Sequence, residues 1–393
     1  MTVLTFDLSS PTFAADPYPV LGELREASPV FWHESVGMFL ALSYKHANIV
    51  LRDRRLGRIW TDKEPREFFE PFNLIHRNQM MENEPPEHHR LRSLVAKAFS
   101  RGHVERLRPR VQQLAASLLE GAAKDGGMDL IADYAEPLPV AVIAELLGVP
   151  ESDRDLLRPW SQSIVKMYEL GRSSEVERRA VAASREFADY MRGLARERRA
   201  RPREDLVSHL AAIEDGGQRL SEDEVIASAM LLLNAGHEAS VNAMGNGMVA
   251  LFRHPDQLAR LRADPSLAAT AVEEMIRYDS PLQLFERTAT EDVAVGGQRV
   301  PAGGKIAALL GAANRDSAAF ADADAFDVAR DPNPHIGFGA GVHFCLGAPL
   351  ARMELQVSVP LLLERMPRLR LAAEPRRRPT FVLHGYEHVP VIS

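Results

Sequence analysis

The longest helical pattern in the sequence limits what this chain can fold into. From Ser221 to Phe252 no proline interrupts the chain, and Ser221 can cap the helix start with Glu224 at the capping-box position. The first stop signal comes only at His254-Pro255. At about 1.5 Å per residue, a helix of this length spans roughly 45–50 Å. Such a helix is long enough to cross the whole molecule.

Most of the remaining chain is also predicted to be helical. Apolar residues recur at three- and four-residue spacing, which is typical of amphipathic helices, in five further segments. These segments are Val104–Ala123, Arg154–Leu170, Glu175–Arg199, Pro265–Tyr278 and Leu350–Arg365. Pro360 should end or kink the last of them.

Strand signals are few and short. They fall at Val30–Trp32, Met38–Ala41, Val293–Val295, Lys305–Leu309, Phe381–Leu383 and Val389–Ile392. The pair Gly296-Gly297 lies between strand-like pieces and predicts a hairpin. We therefore expect a mainly α chain with small β-sheets, an α+β fold class. Since no linker or composition break divides the chain, residues 1–393 are expected to form a single domain. We also expect a monomer.

Composition and charge exclude several classes of function. The net charge of −7 leaves no basic footprint for nucleic acid, and the short run Arg376–Arg378 is interpreted as a solvated turn. No apolar stretch reaches the roughly 20 residues of a membrane-spanning helix. The start of the chain lacks the features of a targeting segment. We expect a soluble protein without a membrane span, in the reducing environment of the cytoplasm.

The chain has one cysteine, Cys345, which excludes an internal disulfide and a cysteine-rich metal cluster. It lies in the segment Phe338–Gly347, whose three glycines allow sharp turns and close approach to a ligand. A helical pattern begins directly after it, so the thiol lies near a helix N-terminus, where free N–H groups favour a thiolate. A thiolate shielded by phenylalanine and glycine, and facing a flat group, is suited to ligate a haem iron.

The phrase F-G-x-G-x-H-x-C-x-G resembles the haem-binding loop of the cytochrome P450 family, with every fixed position filled. The resemblance implies the cytochrome P450 fold, in which a long central helix crosses over the haem. It implies haem b (iron protoporphyrin IX) as cofactor and Cys345 as the metal ligand. Chain length and the phrase A-N-R-D at 313–316 are similar to the soluble bacterial class of the family. The loop residues implied to contact the haem are Phe338, Gly339, His343 and Gly347.

A second motif, Glu274-x-x-Arg277, resembles the buried Glu–Arg pair that braces the haem-side core in this family. Residues three apart lie on one helix face, so these two side chains can pair. The family's arginine partner segment resembles Phe326–Arg330, which implies Arg330 as a third member. We interpret all three residues as structural and not catalytic.

A third motif, A-G-H-E-A-S, interrupts an apolar run in the middle of the long helix. Polar groups inside a buried helix are costly unless they serve a purpose. The phrase resembles the family's A-G-x-[DE]-T oxygen-activation groove, which implies catalytic roles for Gly236, Glu238 and Ser240. Ala235 is implied to contact the haem. Ala239 occupies the usual threonine position and has no hydroxyl to donate a proton, so we expect Glu238 to deliver protons through ordered water, aided by Ser240 or a substrate hydroxyl.

A fourth set of residues would hold the haem propionates. Pro85-Pro86-Glu87 predicts a helix start, and His88 and Arg92, four apart, share a face of that helix. In the family this H-x-x-x-R spacing faces the propionates. Arg287 and His343 match the other two usual contacts, and an arginine fork donates two hydrogen bonds to a carboxylate.

The resemblance also locates a substrate pocket with an apolar lining. The implied lining residues are Phe72, Ile75, Leu232, Leu233, Leu282, Phe285, Val382 and Leu383. Such a lining suits a hydrophobic small molecule or natural product of some size. The alternative is that half of these side chains only pack in the core.

The leading prediction is a haem-thiolate monooxygenase that inserts one oxygen atom from O2 into its substrate, by hydroxylation or epoxidation. The chain has no flavin or iron–sulfur motif, so the electrons are expected from a separate ferredoxin and ferredoxin reductase. A basic face near the cysteine loop, formed by Arg90, Lys97 and Arg352, is a candidate docking site for an acidic ferredoxin.

Three alternatives remain open. Oxidative coupling, desaturation or peroxide-driven oxidation would be consistent with Ala239. A haem sensor or carrier without turnover is a second alternative, against which the polar segment of the long helix argues. A thiol hydrolase built on Cys345 and His343 is the weakest, because residues two apart in a tight loop rarely face each other and no orienting third group is evident.

Overall fold

The computed structural model describes residues 6–8, 10–96, 99, 101–122, 126–169, 172–215 and 218–393. The α-helices in these ranges are α1 (Pro11–Ala15), α2 (Tyr18–Ala27), α3 (Tyr44–Arg52), α4 (Arg66–Arg77), α5 (Glu87–Ala96), α6 (Arg101–Ala122), α7 (Pro137–Leu147), α8 (Arg154–Val165), α9 (Ser174–Ala200), α10 (Leu206–Ala212), α11 (Glu222–Arg253), α12 (Pro255–Ala263), α13 (Ala268–Tyr278), α14 (Leu310–Ala313) and α15 (Ala348–Arg365). The strands are β1 (Val30–His33), β2 (Met38–Ala41), β3 (Leu56–Gly57), β4 (Gly127–Asp129), β5 (Glu214–Asp215), β6 (Gln218–Arg219), β7 (Leu284–Ala289), β8 (Val293–Val295), β9 (Gln298–Val300), β10 (Lys305–Leu309), β11 (Arg370–Leu371), β12 (Arg376–Arg377), β13 (Tyr386–His388) and β14 (Pro390–Ile392). The prediction of a mainly α chain with small sheets is confirmed.

The long helix has the start and the end that its sequence predicts. At its start the Glu224 N–H donates to Ser221 Oγ at 3.2 Å, and the Ser221 N–H donates to Glu224 Oε2 at 2.7 Å, which is a reciprocal capping box. At its end His254 separates α11 from α12, which begins at Pro255. α11 therefore runs without a break over 32 residues.

Other predicted helices differ from the structure at their ends. α8 gives way after Val165 to a 3₁₀ turn at Lys166–Tyr168, and α13 is preceded by a 3₁₀ turn at Pro265–Leu267. Ala123 and Leu170, the predicted ends of two helices, lie outside the described residues.

Of the two effects predicted for Pro360, to end or to kink its helix, the first does not occur, because α15 continues through it to Arg365. A proline inside a helix removes the hydrogen bond to the carbonyl four residues earlier, here that of Gln356. Gln356 and Pro360 are both half-buried, so this carbonyl lies on a side of the helix that water can reach. The missing bond is therefore tolerated.

Two predictions about the last part of the chain are wrong. Phe381–Leu383 does not form a strand, because its pairing is limited to one β-bridge between Leu383 and Leu282. The run Arg376–Arg378 is not a solvated turn, because Arg376 and Arg377 form β12, paired with β13. The side chain of Arg377 is only 16% exposed and forms an ion pair with Asp279, a partner that lies far away in the sequence.

The largest sheet has the strand order β1-β2-β10-β7-β3. β10 runs parallel to β2 and antiparallel to β7, with Arg287 of β7 opposite Ile306 of β10. β8 and β9 form the predicted hairpin. Its two turn residues, Gly296 and Gly297, have φ values of 57° and 79°, which favour glycine at both positions.

The chain forms two compact units. The first comprises Met1–Gly57, Arg108–Glu136 and Ala239–Ser393, and contains the large sheet, α13 and α15. The second comprises Arg58–Leu107 and Pro137–Glu238, and contains α4, α5, α8 and α9. The division between the two units falls inside α11. The expectation that residues 1–393 form a single domain stays a prediction. Within the described residues, no helix combines the length and the apolar character needed to cross a membrane.

Candidate functional site

Cys345 lies in a loop that folds back on itself directly before α15. The Cys345 N–H donates to the Phe338 carbonyl at 3.0 Å, and the Gly339 N–H donates to the Ile336 carbonyl at 2.8 Å. Gly347 is the N-cap residue of α15. These bonds hold the half-buried thiol close to the positive end of a helix.

Two glycines of this loop are required by the backbone. Gly339 and Gly341 both have φ of 71°, in the left-handed region. A Cβ at Gly341 would lie 2.4 Å from the Leu51 carbonyl oxygen, and one at Gly339 would lie 3.2 Å from the Phe285 ring. The loop therefore packs closely against α3 and β7, which fixes where the thiol lies.

The surface around the thiol is accessible and largely apolar. Residues 341–347 are all accessible to solvent, although Ala340 before them and Ala348 after them are buried. Phe344 in this run is 39% exposed. A single sulfur donor surrounded by accessible apolar side chains fits one axial bond to a haem iron and contact with a flat apolar macrocycle.

Arg287 and His343, two of the four predicted propionate contacts, belong to the same unit as Cys345. Arg287 is 3% exposed on β7, and its Nη1 donates to the Glu286 carbonyl at 2.9 Å. Its guanidinium lies 5.9 Å from the ring centroid of Phe285. His343 is half-buried in the cysteine loop.

His88 and Arg92, the other two predicted contacts, lie in the second unit. They occupy successive turns of α5, which begins at Glu87 as its sequence predicts. The imidazole of His88 is 1% exposed, with its centroid 5.6 Å from that of His89, and Arg92 is half-buried. The four predicted propionate contacts are thus not gathered within one unit.

One face of α11 is accessible where the helix is otherwise buried. From residue 225 to residue 251, all of which the structure describes, only Ala235, Gly236 and Ala239 are not buried. These positions, i, i+1 and i+4, lie on one side of a helix. Glu238 is 3% exposed and Ser240 is 7% exposed beside them. The accessible strip consists only of small residues, with a carboxylate and a hydroxyl at its edge.

Gly236 also has a packing reason to be glycine. A Cβ there would lie 2.8 Å from Cδ1 of Ile143, on α7. A methyl group would therefore push against a buried neighbour. The glycine serves close helix packing as well as the accessible strip.

Glu274, Arg277 and Arg330 form one buried network, which we call the Glu274 network. Arg277 donates to both carboxylate oxygens of Glu274, at 2.7 and 2.8 Å, and neither side chain is exposed. Nε of Arg330 lies 3.1 and 3.2 Å from the same oxygens. Sequence reasoning missed Asn333 and the Asp327 N–H, which donate to Glu274 at 3.1 and 2.8 Å. No local spacing signals either of them.

The predicted pocket residues separate into accessible and buried ones. Leu282, Phe285 and Leu383 are half-buried, so a ligand can touch them. The buried ones are Phe72 at 1%, Ile75 at 0%, Leu232 at 7%, Leu233 at 0% and Val382 at 6% exposure. In this structure the second group mainly packs, as the alternative interpretation expects for about half of the lining.

An aromatic stack around His76 was not predicted from the sequence. The imidazole stacks on Phe72 and Trp60, with centroid distances of 3.9 and 4.8 Å. Its Nδ1 lies 2.8 Å from the Phe72 carbonyl and its Nε2 lies 3.1 Å from the Tyr168 hydroxyl. Burial lowers the pKa of His76 to about 4, so the ring is neutral at pH 7. A lone histidine in the sequence carries no signal for this arrangement.

Two of the predicted ferredoxin-docking residues are bound by carboxylates. Arg90 pairs with Glu87 and Glu224, and Arg352 pairs with both oxygens of Glu273 at 2.6 and 2.7 Å. Lys97 lies outside the described residues. Neither arginine is therefore a free cation for a partner.

Comparisons with known proteins identify the family. The family model for cytochrome P450 matches residues 155–379. Over 389 residues the chain is 41% identical to the cytochrome P450 monooxygenase PikC of Streptomyces venezuelae, covering 96% of this chain and 91% of the relative. It is 39% identical to the 6-deoxyerythronolide B hydroxylase of Saccharopolyspora erythraea, covering 98% of both chains.

A solved structure agrees with these relatives. The structure of P450BioI in complex with an acyl carrier protein that carries hexadec-9Z-enoic acid superposes with a TM-score of 0.94. It is 34% identical in sequence, covering 98% of this chain and 100% of that one. The chain therefore belongs to the cytochrome P450 family.

Proposed function

We propose that this P450 inserts one atom of dioxygen into a hydrophobic natural product, and that Cys345 would supply the thiolate that binds the iron of its haem b. Family membership makes the chain a haem-binding monooxygenase that uses O2 and redox partners. The observation that carries the assignment of Cys345 is its position: the one cysteine lies at an accessible apolar loop before a helix N-terminus. Bound haem supplies the iron at which dioxygen is activated.

The residues of the chain have distinct tasks in this proposal. Cys345 would bind the metal through its thiolate, and Arg287, His343, His88 and Arg92 would donate to the propionates. The accessible small residues of α11, Ala235, Gly236 and Ala239, leave room for dioxygen and substrate. The loop residues Phe338, Gly339 and Gly347 shield the sulfur and line the haem.

Proton delivery differs from the usual family arrangement, because Ala239 carries no hydroxyl. We propose that Glu238 moves protons through ordered water to the accessible strip, with Ser240 as a second donor. Both side chains lie at the edge of that strip and are nearly buried, so each could pass a proton from the protein interior to the accessible strip.

The substrate is proposed to be hydrophobic and of natural-product size. Leu282, Phe285 and Leu383 offer apolar surface that a ligand can touch. One relative is named as a 6-deoxyerythronolide B hydroxylase, and one structural neighbour is in complex with an acyl chain on a carrier protein. These names support a biosynthetic intermediate as the class of substrate.

The electrons are proposed to come from a separate ferredoxin and its reductase, in the cytoplasm. Arg90 and Arg352 are weak candidates for the docking face, because both are already paired with carboxylates. A bound carboxylate lowers the attraction that a surface arginine exerts on an acidic partner.

A second candidate function is supported by the geometry of α11. Ala239 is accessible at the usual threonine position, whereas Ser240 is nearly buried. An enzyme that couples or desaturates its substrate, or that uses peroxide, has less need of a hydroxyl there.

Isotopically labelled dioxygen distinguishes the two candidate functions. The holoenzyme is supplied with a surrogate ferredoxin, its reductase and NADPH, and with a compound selected because it shifts the Soret band. Monooxygenation predicts one labelled oxygen atom in each product molecule. An oxidised product without label, or product formed only with added peroxide, would establish the second candidate and overturn the first.

A further inference from the structure

A buried charge network that the proposed function does not use lies beside two segments of the pocket lining. Three side chains from distant parts of the chain surround the carboxylate of Asp279. Arg377 donates to its Oδ2 at 2.5 Å, and the Tyr18 hydroxyl donates to its Oδ1 at 2.9 Å. Nε2 of His384 lies 3.2 Å from the same Oδ1. We call these four residues the Asp279 network.

The network is charged and has little contact with water. Asp279 is 5% exposed and His384 is not exposed at all. Burial by itself raises the pKa of Asp279, but Arg377 and His384 outweigh that effect and hold the pKa well below its usual range. Asp279 in turn raises the pKa of Arg377. A buried ion pair of this kind fixes geometry more than it adds stability.

The network joins two segments whose backbones are only briefly paired. The Gln283 N–H donates to the Val382 carbonyl, and the His384 N–H donates to the Pro281 carbonyl, both at 3.0 Å. Between these bonds lies a single β-bridge, from Leu282 to Leu383. Such a short pairing defines the register of the two segments weakly. The side chains of the Asp279 network hold the same two segments together, and we call this role of the network the clamp.

α11 supplies the anchor for this clamp. One side-chain amide, that of Asn246, donates to the Asp279 carbonyl at 3.1 Å and to the His384 carbonyl at 2.9 Å. Its Oδ1 accepts from Nη1 of Arg377 at 3.0 Å. Close by, a Cβ at Gly385 would lie 2.1 Å from Oδ1 of Asn242. Both segments are therefore held against the same face of one long helix.

We propose that Asp279, Arg377 and His384 are positioning residues that fix the separation of Leu282 and Leu383 and so determine how bulky a ligand the pocket accepts. Leu282 follows Asp279 by three residues and Leu383 adjoins His384, and both leucines are accessible. A small change in the clamp therefore moves apolar surface that a ligand touches. This inference rests on the proposed function, since it concerns the substrate pocket of that enzyme.

Arg377→Met tests the clamp, with Arg198→Met as the matched control. Arg198 makes an ion pair that is more deeply buried than that of Arg377, with Nε 2.5 Å from Oδ2 of Asp205 and exposures of 1% and 6% against 16% and 7%, but it lies in the second unit and touches neither segment. Arg377→Lys keeps the charge and serves as the conservative variant.

Two measurements are made on the holoenzymes. The first is hydrogen exchange of peptides covering 279–285 and 378–386. The second is the ratio of the dissociation constants for imidazole and for clotrimazole, a small and a bulky ligand of haem iron, followed in the Soret band. A purely structural network would change thermal stability without changing this ratio.

The clamp predicts that Arg377→Met speeds exchange in both peptides together and changes the dissociation-constant ratio by about fivefold or more, as pocket-wall changes do. Arg377→Lys should keep the exchange rates and the dissociation-constant ratio close to those of the wild type. Arg198→Met should leave the exchange rates and the ratio unchanged while lowering the melting temperature. If Arg377→Met behaves like Arg198→Met in both measurements, the proposal is overturned.

A milder variant keeps the test decisive should Arg377→Met fail to fold. Tyr18→Phe keeps the charges of the network and removes only a hydroxyl, which donates to Asp279 and accepts from the Ser280 N–H and from Nε2 of Gln283, and the same two measurements apply with a smaller expected change. The exchange measurement needs no haem spectrum. A wild-type protein without an azole spectrum would therefore overturn the proposed function, while the exchange pattern would still decide the clamp.

Discussion

The Glu274 network and the Asp279 network are both buried and charged, and both involve α13 or its end, yet they are built differently. Arg277 donates to Glu274 and to the carbonyls of Asn314, Ala323 and Ala325, all within one contiguous part of the chain. Asp279 is held instead by side chains from the first and last parts of the chain. The first network connects residues within one part of the chain, whereas the second connects distant segments that carry pocket residues.

This difference indicates that one network mainly stabilises the fold and that the other mainly positions pocket residues. A carboxylate with two arginine partners and no exposure holds its surroundings in one arrangement, and removing it leaves one fully buried and one half-buried cation without a carboxylate. The Asp279 network has its own backbone tether in Asn246, so the fold retains support when one charge is removed. We expect the first to govern folding and the second to govern ligand selection.

Glu274→Gln is expected to have the largest effect. It leaves the guanidinium groups of Arg277 and Arg330, one fully buried and one half-buried, without a carboxylate, which costs about 3–5 kcal/mol of unfolding free energy. Urea unfolding measures this loss of unfolding free energy. Asp292→Asn is the control, since the ion pair of Asp292 with Arg299 is exposed. A change no larger than that of the control would contradict the comparison.

Glu354 provides the limiting case of a buried carboxyl, because no ion pair holds it among the described residues. Burial raises its pKa to about 8, and its Oε1 has no hydrogen-bond partner among the described residues. Because the folded pKa lies above the unfolded one, stability is full below about pH 4 and falls as pH rises toward 8. Glu354→Gln should remove this slope and add on the order of 3 kcal/mol at pH 7. Melting temperatures of both proteins from pH 5 to pH 8 measure it, and parallel curves would contradict the assignment.

The pair Asp279 and Arg377 should show an intermediate effect in a double-mutant cycle. Asp279→Asn and Arg377→Met are each expected to destabilise the protein, and the double variant less than their sum, with a coupling energy of about 1–3 kcal/mol. Chemical denaturation of the four proteins gives this value. A coupling near zero would mean that the two charges do not act as a pair.

Glu238→Gln should have the smallest effect on stability and a specific effect on turnover. Because the amide keeps the size of the side chain, the unfolding free energy should change by less than about 1 kcal/mol. Since an amide cannot release a proton, reductant should be diverted to peroxide and less of it should appear in product. The ratio of product to NADPH consumed measures this, with Ser240→Ala as the companion variant, and an unchanged ratio would end the proposed role of Glu238.

Sequence reasoning succeeded where the determinants are local. The capping box of Ser221 and Glu224 and the hairpin at Gly296-Gly297 depend on neighbouring residues, and both are in the structure as predicted. The pairing of Glu274 with Arg277 follows from a spacing of three on a helix. The loop around Cys345 likewise carries its glycines in a fixed local order.

Sequence reasoning failed where a distant partner decides the outcome. Arg377 looked like part of a solvated basic run, because its partner Asp279 lies 98 positions away. For Phe72 and Ile75 the sequence left open whether they line a pocket or only pack, because apolar side chains that pack and those that bind are alike in sequence; both are buried in the structure. Pro360 lies inside a continuous helix, and Gln356, whose carbonyl it leaves without a helical hydrogen bond, is half-buried. In each case tertiary surroundings override the local signal.

The most direct test of the account is the spectrum of the reduced protein with carbon monoxide, recorded for the wild type and for Cys345→Ala. Since Cys345 is the only cysteine, no other thiol can replace it. The account predicts a far red-shifted Soret band for the wild type and its loss in Cys345→Ala. A wild-type protein that holds haem without this band, or a Cys345→Ala protein that keeps it, would contradict the assignment of Cys345 as the haem ligand.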